Sequence, residues 1–285
     1  MRKQGEEGGH PPAKGKAQMN CRPVSGFPKM SEAFATRSNL NLAVDRYRRD
    51  LTTAWIEQYA NVVLTGPFAG LQLEQLASWG DGDILAKLLG TYEAELHSII
   101  YSVINASPST VINIGCAEGF YAIGLAQAIP KAKVVAFDCD KHARELCARL
   151  AALNSVGDRV TIQGRCTVPR LRTVLAKSER TFLLVDCEGG ELDLIYPSEV
   201  PELAQTDMLI ECHDFVYPSL THMLERRLRS THKICRVDEQ NTRDLDDFPA
   251  LKILSSIDRA IATCEWRPAR MNWLYCQALM ESSNS

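Results

Sequence analysis

The sequence predicts a doubly wound α/β protein, a mostly parallel sheet covered by helices on both faces, with a helical extension on its N-terminal side. From Val111 onward, short apolar runs alternate with amphipathic segments. Parallel strands need crossover helices, and those helices bury both faces of the sheet. The 285 residues are enough for one large core or two small ones. Hydrophobic residues make up 45% and charged residues 24%, which excludes a wholly disordered, collagen-like or fibrous chain.

Residues 1 to 40 carry Gly8-Gly9, Pro11-Pro12 and seven basic against three acidic residues among few large apolar ones, and read as a disordered tail. Residues 41 to 106 read as a helical segment that covers the cleft. Leu42, Val44, Leu51, Trp55 and Tyr59 fall at near-helical spacing, and 62 to 64 suit a short extended piece. Asp83 is placed to cap a helix over 84 to 89, and Leu96, Ile99, Ile100, Val103 and Ile104 give an i, i+3, i+4, i+7 face on a helix over 92 to 105.

The main domain is expected over 107 to 285. Its strands are predicted at 111 to 115, 133 to 138, 159 to 164, 182 to 186 and 208 to 211, with further strand-like runs at 233 to 237 and 272 to 279. Helices are expected at 119 to 129, 141 to 156, 167 to 178, 191 to 204 (broken by prolines) and 219 to 230. An Asp-rich stretch around Asp244, Asp246 and Asp247 reads as polar loop over the cleft.

A net charge of -3 gives no basic excess to drive binding to a phosphate backbone, so nucleic acid is not the expected partner. No apolar run approaches the ~20 residues of a membrane span, and a cytoplasmic protein without membrane contact is expected. The ten cysteines show no C-x-x-C spacing and are spread over separate strands and helices, so they read as reduced packing residues.

In doubly wound sheets ligands bind at the carboxyl ends of strands, where strand order reverses. The first strand-to-helix turn reads Asn113-Ile114-Gly115-Cys116-Ala117-Glu118-Gly119. Gly115 permits a sharp turn and Gly119 lets the next helix pack close to the strand. Asp138 closes the second strand 19 residues later, where a carboxylate accepts hydrogen bonds from ribose hydroxyls. The three-glycine dinucleotide fingerprint is absent, which demotes a nicotinamide oxidoreductase. The spacing suits S-adenosyl-L-methionine, a ligand without phosphates, with Gly164-Arg165-Cys166 near the adenine.

A second cluster, Asp186-Cys187-Glu188-Gly189-Gly190-Glu191, ends the fourth strand, and Glu211-Cys212-His213-Asp214 ends the fifth. Carboxylates so dense are costly in an interior unless they are used or hydrated. His213 and Asp186 are the candidate general bases and Glu188 the orienting group or substrate ligand. Glu191 reads as a first-turn helix residue and Asp214 as a loop cap. Asp186, Glu188 and Asp214 offer an alternative oxygen-ligand set for a divalent cation; the preferred reading uses no metal.

With both clusters in place the chain resembles a class I S-adenosylmethionine-dependent methyltransferase, and more narrowly the FkbM family. That family has D-x-E-G-x-E at its fourth strand, matched by Asp186, Glu188, Gly189 and Glu191. Its D-x-G-x-N-x-G turn is matched at Gly115 and Gly119 and departs at Asn113 and Ala117. The segment Gly90-Thr91-Tyr92-Glu93 resembles a stretch near the cofactor in related enzymes, and Glu265-Trp266-Arg267-Pro268 with Trp273 is a weaker echo. The resemblance implies a seven-stranded Rossmann-like sheet with an antiparallel last strand. It also implies O-methylation of a hydroxyl on a small-molecule or glycan acceptor. The implied cofactor contacts are Tyr92, Glu93, Asn113, Gly115, Ala117, Gly119, Asp138, Cys139, Arg165, Cys166 and Asp186. The competing expectation is a catalytically inactive methyltransferase fold serving as a binding or assembly protein.

Overall fold

The apolar runs become β1 (Thr110–Ile114), β2 (Lys133–Phe137), β3 (Val160–Gln163), β4 (Thr181–Val185), β5 (Asp207–Cys212), β6 (His232–Asp238) and β7 (Asn272–Ala278) in a computed structural model that describes residues 30 to 74, 84 to 267 and 269 to 279. The helices are α1 (Met30–Tyr59), α2 (Ile84–Leu89), α3 (His97–Ala106), α4 (Phe120–Ala128), α5 (Lys141–Leu153), α6 (Val168–Leu175), α7 (Glu191–Leu194), α8 (Leu220–Leu228) and α9 (Ser256–Ala262). The chain divides into two units, 1 to 43 and 44 to 285; the described part of the first is the opening stretch of α1.

The sheet runs β3-β2-β1-β4-β5-β7-β6. The first five strands are parallel, and β7 is antiparallel to both β5 and β6. This is the seven-stranded Rossmann-like arrangement expected, including the antiparallel final strand. Chain order reverses between β1 and β4, so a crevice opens between their carboxyl ends.

Successive residues of each strand feed opposite cores. Val111, Leu184, Leu209 and Trp273 face one layer with α3, α4 and α5, while Ile112, Leu183, Ile210 and Leu274 face the other with α6 and α8. Burial on both faces explains why β4, TFLLV, is apolar at four of its five positions rather than alternating. At α5 the Asp140 side chain accepts from the backbone N–H groups of His142 and Ala143, which satisfies donors that a helix start leaves open.

Several expected boundaries move. α1 begins at Met30, inside the segment expected to be tail; Ala33, Ala35, Glu32 and Met30 are good helix formers. Residues 1 to 29 and the cap at Asp83 lie outside the described residues. The expected helix over 92 to 105 divides into a 3-10 turn, Ala94–Leu96, and α3. Residues 62 to 64 contribute only a bridge from Val62 to Gln72. The helix expected over 191 to 204 is one turn, α7, followed by a 3-10 stretch at Pro201–Gln205, because Pro197 and Pro201 lack the N–H a helix interior needs. The expected split at residue 106 is not a seam, since Trp55, Leu88 and Ile100 share one core with β1 and β4 residues. The nine described cysteines are free thiols, and five of them are buried. No helix among the described residues is long and apolar enough to cross a membrane.

Candidate functional site

The turn after β1 lies directly against the turn after β4. The Asp186 N–H donates to the Ile114 carbonyl at 2.9 Å, and a Cβ added at Gly115 (φ +78°) would stand 1.5 Å from the Asp186 carbonyl oxygen. Only glycine fits there. Gly119 (φ +102°) packs over Cys147 of α5, and its missing Cβ would meet that sulfur at 2.8 Å. A cavity of about 1020 Å³ opens from these turns. That volume lies at the upper end of the ~300–1,000 Å³ usual for ligand pockets, which leaves room for two molecules side by side.

On the β2 and β3 side the cavity is lined by Asp138, Cys139, Arg165 and Cys166, with Gly115 and Ala117 at the β1 turn. Asp138 is buried and holds the loop: its Oδ2 accepts from the Ala117 N–H at 2.9 Å and its Oδ1 from the Asp140 N–H at 2.8 Å. Each carboxylate oxygen keeps a second lone pair for a ligand hydroxyl. Ala117 sits at φ +48°, a conformation that this anchoring helps maintain. From the N-terminal segment come Tyr92 and Lys87; the Lys87 Nζ is 2.5 Å from Glu118 and 4.7 Å from the centre of the Tyr92 ring.

The β4 and β5 side carries the titratable groups. Asp186, Glu188, Glu211 and His213 all line the cavity, together with Phe215, Trp266, Arg267 and Met271. His213 is 2% exposed. Its Nε2 looks towards Glu188 Oε2 at 3.3 Å, Asp186 Oδ1 at 3.6 Å and Glu211 Oε2 at 3.9 Å, and its Nδ1 lies 3.1 Å from Glu191 Oε1. Burial pushes Asp186 up to about 7, and the repulsion of Glu93, Glu188 and Glu191 adds to it against a hydrogen bond with Glu211. Burial also lifts Glu211 well above the carboxylate range, with Asp186 adding to it and Arg267 opposing. For His213 burial alone would favour the neutral ring, but the carboxylates, Glu191 first, outweigh it and raise the imidazole.

Behind this wall lies a buried ion-pair network. Arg267 donates to Glu93, Glu211 and Glu265 at once, and Glu93 also accepts from the Tyr121 hydroxyl. Arg243 joins Glu265 at 2.6 Å and Glu95 at 3.3 Å. Burial drives Glu93 up to about 8 even though Arg267 opposes it.

Three of the expected cofactor contacts stand elsewhere. Glu93 is 1% exposed and belongs to the network behind the wall, because its carboxyl reaches Arg267 and Tyr121. Asn113 points from β1 into the core that holds Val111, with both amide atoms buried and without a protein partner. Gly119 shapes α4 rather than the lining. The suggested cation set also changes. Asp214 turns away to accept from the Thr221 backbone N–H and hydroxyl and from Asn272, so it is the loop cap expected of it. Among the described residues the donors close enough for one ion are those of Asp186, Glu211 and His213, within 4.8 Å of one another. Arg267 binds Glu211 and Glu191 faces His213, so two of the three donors have charged partners on the side away from one another.

Sequence reasoning passed over Phe215, and it named Glu191 and Arg267 without their roles in this site. Glu191 is the first-turn acid of α7 expected of it and is also fully buried, and the signal for a further role was its place in the same motif as Asp186 and Glu188. Phe215 packs against the His213 ring at 5.8 Å between centroids.

No protein-family model matches the sequence, and no curated protein matches it. Solved structures similar to it include methyltransferases. The O-methyltransferase TomG of Streptomyces achromogenes, solved with SAM, is 11% identical at a TM-score of 0.41, over 62% of this chain and 77% of that one. An O-methyltransferase from Bacillus cereus, solved with SAH, gives the same figures: 11% identity, 0.41, 62% and 77%. The C-terminal domain of precorrin-6Y C5,15-methyltransferase from Rhodobacter capsulatus is 11% identical at 0.38, over 63% and 87%. Likeness at this level fixes neither reaction nor ligand, and the strand order by itself carries the fold.

Proposed function

We propose that the protein is an S-adenosylmethionine-dependent methyltransferase of the FkbM type that methylates a hydroxyl group on a sugar or natural-product acceptor. The observation that supports this most is a single cavity at the β1/β4 crossover with Asp138 on one side and the Asp186, Glu211 and His213 cluster on the other. The residues present suit the cofactor. The Gly115 turn lets a ligand approach the backbone, and the half-satisfied Asp138 carboxylate takes ribose hydroxyls, with Cys139, Arg165 and Cys166 around the adenine. Bound there, S-adenosylmethionine supplies an electrophilic methyl group.

The chain's own residues do the rest. His213 Nε2 faces the cleft and takes the acceptor's hydroxyl proton, while Glu188, whose side chain is 57% exposed, reaches out to hold a second hydroxyl. Asp186, pushed up to about 7, carries or releases a proton near neutrality and relays it within the cluster. Phe215 and Trp266 give the mouth apolar faces against which an acceptor ring is held in line.

Titration calorimetry with S-adenosylmethionine and with NAD tests the reading. Binding of the first and not the second is expected, with at least tenfold weaker binding in Asp138→Ala, roughly 1.4 kcal/mol or more. Unchanged affinity in that variant would remove the ribose assignment, and binding of neither ligand would favour the inactive scaffold.

A further inference from the structure

We propose that Glu191 is a positioning residue, which accepts the Nδ1–H of His213 and so fixes the imidazole as the Nδ1-protonated tautomer with its Nε2 lone pair turned to the cleft. This rests on the reading of His213 as the base. Glu191 is 0% exposed, its Oε1 accepts from the Cys187 N–H at 2.9 Å and lies 3.1 Å from His213 Nδ1, and the His213 Nδ1 and Glu191 Oε2 are both buried with no hydrogen bond of good angle to any other group, so a small turn of the ring gives Nδ1 its acceptor. A buried ionised carboxylate is costly unless a cation or donor meets it, and His213 is the one cationic side chain that pairs with it among the described residues.

The opposite tautomer, with its proton on Nε2, has three carboxylates to favour it, so the outcome depends on how much charge each side holds. On the Nε2 side Glu211 is paired with Arg267, Asp186 is pushed up to about 7 and shares a hydrogen bond with Glu211, and Glu188 is 57% exposed and solvated at 3.3 Å. On the Nδ1 side Glu191 is held below the usual carboxylate range: burial works against this, but His213 and the Cys187 N–H outweigh it. It is closer than any carboxylate on the other side. The closest and most deeply buried of the four carboxylates therefore faces Nδ1. Phe215 packs on the ring and Asp214 faces Thr221 and Asn272, so neither contests the assignment.

The consequence for the reaction is a balanced proton path. The acceptor's O–H proton passes to Nε2, its oxygen forms the bond to the methyl carbon, and the carbon–sulfur bond breaks with its electron pair left on sulfur. The imidazolium so formed stands between Glu191 and the cleft. Glu191 is to His213 what a carboxylate is to the imidazole of a nucleophile–histidine–acid triad: it sets the tautomer and stabilises the charged ring.

Long-range 1H–15N correlation spectra of 15N-labelled full-length protein, with the His213 ring assigned by loss of its signals in His213→Gln, test this without any acceptor. At a pH above the His213 transition the wild-type ring should show a protonated Nδ1 and a bare Nε2. Glu191→Gln should lower the His213 midpoint by at least one pH unit and raise the Nε2–H population, while Glu191→Asp should restore part of the wild-type pattern. A wild-type ring protonated at Nε2 overturns the proposal without reference to any variant, and so does an unchanged tautomer and midpoint in a folded Glu191→Gln. Failure of S-adenosylmethionine to bind would sink the methyltransferase reading and leave the tautomer result standing, so the two are told apart.

Discussion

Arg267 is the residue on which the acid-rich wall depends. Its guanidinium serves Glu93, Glu211 and Glu265, and it is held charged because those carboxylates outweigh the burial that would lower it. Replacement by Met removes the charge and keeps much of the volume, leaving Glu93 and Glu211 buried without their cation. Breaking a buried pair from one side costs about 3–5 kcal/mol, and urea denaturation of Arg267→Met should show a loss of that order. A loss under about 1 kcal/mol, the range of exposed pairs, would mean that the wall is wetter than it looks. Asp186, Glu188 and His213 were legible in the sequence because each ends a strand inside a dense local motif. Arg267 was named only as part of a weaker echo and its role was not legible, since its bond to Glu93 spans 174 positions and no local pattern records such a pairing. Glu191 was legible as a residue but not in its role, because a first-turn acid and a buried histidine partner look the same until burial is known.

Among the elements, the β1 turn is the most tightly constrained. Gly115 combines φ +78° with a carbonyl where its Cβ would be, so Gly115→Ala must move the β4 turn that carries Asp186 and Glu188. The left-handed conformation alone costs a non-glycine residue about 1–3 kcal/mol, and the displaced turn adds to that. Thermal denaturation should show a clear drop in midpoint, and calorimetry a loss of S-adenosylmethionine binding greater than in Asp138→Ala. If the cofactor binds Gly115→Ala as well as wild type, the crossover is not where it sits. The neighbouring strand β4 was readable because two-sided burial makes it an almost continuous apolar run. α9 was missed: its segment SIDRAIA is short and half polar, and its start is fixed by a Ser255 side chain accepting from the Asp258 N–H rather than by an apolar stripe. The segments before β7 therefore owe their order to capping and long-range ion pairs, which sequence periodicity does not report.

Taken whole, the molecule stores protons in its interior, and this sets how its stability depends on pH. Glu93 is pushed up to about 8 and Asp186 to about 7, chiefly by burial, and His213 is raised by the acids around it. An unfolded carboxyl releases its proton near pH ~4, so between there and about pH 8 the folded chain holds protons that the unfolded chain has lost. Stability changes with pH in proportion to protons bound by the unfolded state minus those bound by the folded state, and here that difference is negative. Stability from these groups is thus complete in acid and lost as pH rises through 7 and 8. Glu191 and Asp214 work the other way, since their lowered values add stability that disappears only as pH falls below the ordinary carboxylate range. Between pH 5.5 and 8.5 the first set titrates and the second does not, so the urea midpoint should fall steadily across that interval. Glu93→Gln deletes one of these raised groups and should flatten the decline. A wild-type midpoint that rises from pH 5.5 to 8.5, or a Glu93→Gln slope as steep as wild type, would show that these carboxyls are ionised in the folded protein and that the wall is held by ion pairs alone.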